Sequence, residues 1–411
     1  MKSIVQVFSF DIASKVLLGV LGILLIRFMP EAEYARYTFA AALVAFASQT
    51  ITGTFNRIYI VGYERLKLRG AAPAFLVLQL LAITLVVLLA LPFRGRLAGA
   101  YGLAVAVVFA ICLSEYSKTV SQQALQFRRF SLIEVARSAL FLGAVLALVA
   151  RDGQGIGAEQ VLLLQAASMA LVFLAASGRR SLFAGGMPVR EFLRVASGIV
   201  RQGYRYLFGY FALMALLSQM DVFMLQGIST EREVAVYGAG FRFYLLLSLA
   251  LAAVHAVLLP VLQRVETPQE QDDILARHFG MVRLFAPAVA LGAVAAGWVI
   301  PWVDGGKYPA AVVVFRILAV SAVISFAFSP YVHILMRFED FRWLLGLVSA
   351  ALLAHAGLSM ALLPRYGAVG AATVTLLVFG TLNASIFVRV RRRSGRWWRE
   401  AAGRATGGAA M

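Results

Sequence analysis

Apolar runs of bilayer-spanning length, parted by short polar turns, leave this chain few ways to fold. They fall at roughly 4–28, 37–60, 71–92, 98–118, 131–150 and 159–177, then at roughly 203–227, 235–262, 281–302, 311–336, 343–363 and 368–388. A hydrocarbon core of ~30 Å is crossed by a helix of ~20 residues. Inside it every backbone N–H and C=O needs an internal partner, which restricts spanning structures to helices and closed barrels. A barrel would show short alternating segments, and these are absent. With 61% hydrophobic and 14% charged residues and a mean hydropathy of +0.82, the chain lies far from a soluble domain, where about a quarter of residues are charged. The expectation is an all-α polytopic membrane protein with twelve transmembrane helices.

A net charge of +18 would suit nucleic acid, but the basic residues cluster at the ends of alternate apolar runs. One side carries Lys2, Arg65, Lys67, Arg69, Lys118, Arg128, Arg129, Arg179, Arg180, Arg190, Arg194, Arg264, Arg277, Arg283, Arg337, Arg342 and the tail from Arg389 to Arg404. The other carries Arg27, Arg36, Arg94, Arg96, Arg151, Arg232, Lys307 and Arg365. The first side holds roughly three times as many, which places both termini in the cytoplasm. Membrane lipids, not nucleic acid, are the expected partners. A signal peptide is not expected, because Asp11 and Lys15 interrupt the first run. The single Cys112 lies inside a run and reads as a packed thiol.

The chain also starts over. Glu31, Glu33, Ala35 and Tyr37 recur at one constant offset as Glu231, Glu233, Ala235 and Tyr237, each set in the turn between a first and a second span. Such self-similarity points to two like halves. Six spans is an even number, so the halves share orientation, and two six-helix bundles related by a pseudo-two-fold along the membrane normal are expected. The expected divisions are an N-terminal bundle at 1–178, a cytoplasmic linker at 179–200, a C-terminal bundle at 201–390 and a basic cytoplasmic tail at 391–411. The linker contains Gly185, Gly186, Pro188 and an amphipathic basic piece from Val189 to Val195, read as lying on the inner surface. Gln122 to Phe130 and Glu266 to Phe279 read as short interfacial helices. The basic tail is expected to anchor at anionic headgroups, with Trp397 and Trp398 in the interface, and Gly403 to Met411 is expected to be disordered.

No catalytic constellation, phosphate-binding glycine loop or metal-spaced His/Cys cluster is visible, so no enzyme activity and no cofactor are expected. What remains are charges within the spans, each costing more than ~2.5 kcal/mol in hydrocarbon and hence marking a cavity or a partner. Asp11 and Lys15 share a helix face at i, i+4. Span two has a polar face of Ser48, Gln49, Thr52, Gly53, Asn56 and Arg57. Span eight aligns Tyr237, Phe241, Tyr244, Ser248 and His255, with Arg242 beside them, and Asp221 of span seven could pair with Arg242 across the turn. Intramembrane cations (Lys15, Arg57, Arg137, Arg205, Arg242, Arg316) outnumber the acids Asp11 and Asp221. A cationic cavity favours an anionic passenger such as a phosphate or pyrophosphate, which arginine grips as a fork.

Several segments resemble the polysaccharide-export branch of the multidrug/oligosaccharidyl-lipid/polysaccharide (MOP) exporter superfamily, the O-antigen (Wzx-type) flippases. The turn Pro30-Glu-Ala-Glu-Tyr-Ala-Arg-Tyr37 is similar to the family's segment after span one, with Arg36 departing from the usual glycine. Asp221 with Gly227, Glu233-Val-Ala-Val-Tyr-Gly-Ala239 and Pro260 resemble its seventh and eighth spans, and Gly306-Lys-Tyr-Pro-Ala-Ala311 its segment before span ten. The resemblance implies a MATE-like fold and alternating-access transport of a polyprenyl-pyrophosphate-linked oligosaccharide across the bacterial inner membrane. On this reading Lys15, Arg57, Arg205, Arg242 and Arg316 attract the headgroup, and Gln49, Thr52, Asn56, Tyr237, Tyr244 and His255 line the cavity. Asp11 or Asp221 carries a coupling H+ or Na+, and glycan polymerase and export proteins are candidate partners. Rival readings are a cation-coupled multidrug antiporter, which would need acidic cavity residues, and a peptidoglycan-precursor flippase. A membrane-bound glycan polymerase would need a long outer loop, and none is present.

Overall fold

The computed structural model describes residues 2–61, 72–177 and 189–407, apart from turn positions 90, 98, 125, 154, 202, 203, 264, 266 and 339. Arg65, Lys67, Arg69, Arg179, Arg180, Gly185, Gly186 and Pro188, singled out above, lie outside the described residues. The described residues contain no strand. In chain order the helices are α1 (Lys2–Phe28), α2 (Glu31–Ala47), a π-helical turn (Ser48–Gly53) leading into α3 (Thr54–Val61), α4 (Ala72–Leu89), the short α5 (Arg94–Leu97), α6 (Ala100–Gln123), α7 (Phe127–Asp152) and α8 (Ala158–Ser177). They continue with α9 (Val189–Arg201), α10 (Tyr204–Ile228), α11 (Glu231–Gln263), α12 (Pro268–Asp304), α13 (Ala311–Arg337) and α14 (Phe341–Gly407). Eight stretches among the described residues are long and apolar enough to cross a membrane. The longest, Phe341–Arg399, holds two expected spans on either side of Gly367, whose positive φ of 51° breaks the helix.

Three expectations are corrected. Gln122 to Phe130 is not an interfacial helix, since α6 runs to Gln123 and α7 starts at Phe127. Glu266 to Phe279 is not separate either. Thr267 caps α12 by accepting the Glu270 N–H at 3.2 Å, Pro268 takes the first turn, and the helix then runs unbroken to Asp304. The second segment is polar but rich in helix formers, so its polarity did not mark a break from the span that follows, whereas the first holds the short turn between α6 and α7. The tail, too, stays helical to Gly407, and Trp397 is buried against Phe338, where headgroup exposure was expected.

The chain divides into two compact units, Met1–Gly238 and Ala239–Met411, the boundary falling within α11. In the first unit α1 packs on α7, α6 on α7 and α8, and α10 on α2. Aromatic edges make the last contact. Phe223 meets Phe39 and Phe46 at 6.2 and 6.1 Å, and nearby Phe208 of α10 meets Phe55 of α3 at 6.1 Å. The amphipathic piece forms α9, which contacts α4 and α10 and buries Val195. The repeat marker Glu33 has a physical task in this unit. Its carboxylate accepts the Ala158 N–H at 2.7 Å and Arg36 Nη1 at 2.8 Å, capping the start of α8. An N-terminal amide left bare would be costly, and an acidic group there also suits the helix dipole.

In the second unit α13 packs on α12 and α14. The turn into α13 is shaped by Asp304. Its buried carboxylate accepts the N–H groups of Gly306 (2.7 Å) and Tyr308 (3.0 Å), and Gly305 and Gly306 adopt φ of 69° and 78°. Glycine takes such angles without a Cβ penalty, which explains why the Gly306-to-Ala311 motif opens as it does. Further along, α11 approaches α13 so closely that a Cβ on Gly240 would lie 2.7 Å from Val314 Cγ1 and 2.9 Å from the Ala311 carbonyl oxygen. Gly240→Ala should therefore destabilise by about 1–3 kcal/mol, read as a lower melting temperature of the detergent-solubilised protein. Gly357→Ala, with nothing within 4 Å, should leave it unchanged or raise it.

Candidate functional site

The polar face of span two is shaped by the π-helical turn at Ser48–Gly53. A π turn widens the helix by one residue and displaces the carbonyls that nearby hydroxyls would meet, and such turns gather at functional sites. Ser48 Oγ still reaches the Val44 carbonyl at 2.6 Å. Thr50 and Thr54 are buried, and no hydrogen-bond partner for their hydroxyls is found among the described residues. Asn56 Oδ1 accepts from Gln79 Nε2 at 2.9 Å, and Gln79 Oε1 accepts from the Cys112 thiol at 3.3 Å, a chain joining α3, α4 and α6 that is buried at Gln79 and Cys112 and half-buried at Asn56. Thr52 is 2% exposed, whereas Gln49 is open and its Oε1 accepts from Ser218 of α10 at 3.4 Å. Part of the stripe thus glues helices together, as buried amides and hydroxyls do in membranes, and Gln49 keeps a free surface.

A second polar centre, invisible to the sequence reading, lies where α6 and α7 meet α1. Glu115 and Lys118 of α6 face Glu134 and Arg137 of α7. Lys118 Nζ lies 3.1 Å from Glu115 and 2.5 Å from Glu134, and Arg137 lies 3.2 Å from Glu115 and 2.5 Å from Glu134. From α1, Ser14 bonds Ser138 at 2.7 Å and reaches Glu134 at 3.4 Å. Side-chain exposures of 12–13% for Lys118, Glu134 and Arg137 make this a nearly closed, charge-neutral tetrad. Arg137 was grouped with the intramembrane cations; the structure neutralises it. Glu115 and Glu134 fall within the expected spans four and five but near their ends, and were left out when the acids of the spans were weighed. The signal was present as Glu115-x-x-Lys118 and Glu134-x-x-Arg137, two acid-before-base pairs at i, i+3 on neighbouring helices.

The remaining expected site residues are spread over both units. Lys15 is partly buried on α1, one position past Ser14. Asp221 accepts the Tyr237 hydroxyl at 2.6 Å, and both are enclosed by packing. Arg242 and Tyr244 are half-buried on α11, Tyr244 tilted against Phe241 at 5.4 Å. Arg316 is exposed on α13 and donates from Nε to the Ala293 carbonyl of α12 at 2.9 Å. The side chains of Asp11, Arg57, Arg205 and His255 lie outside the described residues. An apolar crevice among α2, α4, α5 and α6, lined by Leu43, Phe46, Val86, Tyr101 and Val108, offers nothing to an anion, because the Tyr101 hydroxyl is bonded to the Val87 carbonyl. Among the described residues no group of three or more His, Cys, Asp or Glu could hold a metal ion.

Solved structures match this architecture along nearly the whole chain. The inward closed form of the lipid II flippase MurJ superposes with a TM-score of 0.69 at 12% identity, covering 93% of this chain and 87% of that one. An inward-facing multidrug resistance MATE family transporter of the MOP superfamily gives 0.66 at 17% identity, covering 95% of each. The fold is that of MurJ and the MATE transporters. A third match is a MOP superfamily transporter from Pyrococcus furiosus, described as having a binding pocket of reversed polarity that suggests a different function. It gives 0.62 at 16% identity, with 96% of each chain covered. No protein-family model matches the chain, and no curated protein does. The chain is a multi-pass membrane protein with this all-α fold.

Removing one member of the tetrad strands a buried charge, which typically costs about 3–5 kcal/mol. Glu134→Gln should accordingly lower the melting temperature of the purified protein markedly. The exchange Lys118→Glu with Glu134→Lys, which keeps the cluster neutral, should recover part of the loss, and thermal unfolding in detergent compares the two.

Proposed function

We propose that this chain is a bacterial inner-membrane flippase that moves a polyprenyl-pyrophosphate-linked oligosaccharide between leaflets by alternating access of the bundles 1–178 and 201–390. The observation that supports it is the conjunction of a MOP-type fold with an excess of basic side chains in the spans. Once the tetrad cancels itself, the charges left in the spans are chiefly cations: Lys15, Arg57, Arg205, Arg242 and Arg316 against Asp11 and Asp221. These five attract the pyrophosphate and the sugar headgroup while the prenyl tail stays in lipid. Of the expected lining, Gln49, Asn56 and Tyr244 keep accessible surface, whereas Thr52 and Tyr237 serve packing. Asp11 or Asp221 carries the coupling H+ or Na+, and glycan polymerase and export proteins act on the delivered substrate. The fold also occurs with a binding pocket of reversed polarity, in the Pyrococcus furiosus transporter. A multidrug antiporter would need a carboxylate to meet an organic cation; Glu115 and Glu134 are both engaged by Lys118 and Arg137, which leaves Asp11 and Asp221 for that role.

A second reading, a peptidoglycan-precursor flippase, is favoured by the likeness to the lipid II flippase MurJ. Complementation separates the two. The chain should restore surface glycan to a strain lacking its glycan flippase and fail to rescue one depleted of its lipid II flippase; the reverse pattern selects the second reading. Lys15→Ala or Arg57→Ala should cut surface glycan roughly tenfold or more at unchanged protein level, the loss of one charge-assisted contact to phosphate. Wild-type glycan in both variants would remove these residues from the mechanism.

A further inference from the structure

Past Val388, α14 leaves apolar sequence without leaving the helix, and the extension has two distinct faces. One face is fixed to the protein. Val390 and Trp397 are buried, Trp397 stacks on Phe338 at 4.8 Å, and Trp398 meets the same ring edge-on at 5.7 Å. The Arg337 guanidinium lies over Trp398 at 5.1 Å, and Arg389 donates Nε and Nη2 to Asp340 at 3.0 and 2.8 Å. Away from that face lie Arg392, Arg396 and Arg399, while Arg391 flanks the Trp398 side; all four are exposed. Arg392, Arg396 and Arg399 recur at i, i+4 and i+7 and so share one stripe. Arg391 lies over Phe387 at 5.6 Å, and Arg399 Nε donates to the Gly395 carbonyl at 3.2 Å. Among the described residues no carboxylate forms an ion pair with any of the four.

Loose basic tails are ordinarily solvated, but this one is held. The aromatic and ionic contacts on its inner face fix which way the arginines point, so four like charges are kept within ~12 Å of helix rise. That arrangement repels itself unless anions face it. The stripe begins about one helical turn beyond the end of the apolar run, at the depth where headgroups start. Guanidinium forks match phosphate oxygens, and an anionic leaflet attracts basic side chains that lie within a Debye length of its surface.

We propose that the arginine face of the α14 extension is a docking surface for anionic phospholipid headgroups of the adjoining leaflet. The Phe338, Trp397, Trp398 and Asp340 contacts act as its rigid mount. The proposal is independent of which glycan, or which other substrate, the protein carries. Full-length protein in detergent is titrated with short-chain phosphatidylglycerol and, separately, with short-chain phosphatidylcholine, and binding is followed by thermophoresis. Wild-type protein should prefer phosphatidylglycerol. The variant Arg391→Gln/Arg392→Gln/Arg396→Gln/Arg399→Gln should lose roughly tenfold in that affinity. The corresponding four Arg→Lys substitutions should keep most of it, showing that charge and not folding is at stake. Equal affinity for the two lipids in the wild-type protein would overturn the proposal, as would unchanged affinity in the Gln variant. Displacement by equimolar inorganic phosphate would also overturn it, by showing a site for the free anion.

Discussion

Two carboxylates and two cations closed on one another between α6 and α7 decide how the first unit holds its charge. A lone ion at membrane depth is expensive, and an ion pair with one member removed is more so. Glu115, Lys118, Glu134 and Arg137 avoid both penalties because each cation touches both acids. Ser14 extends the network to α1, through Ser138 and Glu134. The packing of α1 on α7 and of α6 on α7 is therefore specified by polar contacts as well as by shape. Hydrocarbon surroundings give helices little hydrophobic reason to prefer one neighbour over another, and a network of this kind supplies the preference. Its neutrality also fixes what is left over: the cations outside the tetrad set the sign of the remaining charge in the spans.

Much of the fold could be read from the chain. Run length and hydropathy placed the spans because the bilayer permits little else, and the constant offset between Glu31–Tyr37 and Glu231–Tyr237 reappears as matching helix starts, α2 at Glu31 and α11 at Glu231. What failed was the reading of polarity as a boundary. The Glu266–Phe279 segment is polar, yet from Pro268 onward it is one helix with the span that follows, and Gln122–Phe130 holds only the short turn between α6 and α7. The tetrad went unseen for a related reason: Glu115 and Lys118 stand at the end of span four and Glu134 at the start of span five, and were read as edge residues.

The site was less legible, for a different reason. A stripe of Ser, Thr, Asn and Gln looks alike whether it faces water or a neighbouring helix. Only the partner decides, and Gln79 and Cys112, which take up Asn56, sit in other spans. Tyr237 looked like an aromatic lining residue; its hydroxyl instead serves Asp221. Sequence periodicity identifies a face but not what the face meets.

The π-helical turn at Ser48–Gly53 carries one residue more than an α-helical turn would hold. Were it to tighten, everything after it on the same rod would revolve by about 100°. Asn56 would then be carried away from Gln79, exchanging the surface that α3 shows its neighbours without unfolding either end. The extra residue thus sets which face of α3 meets Gln79.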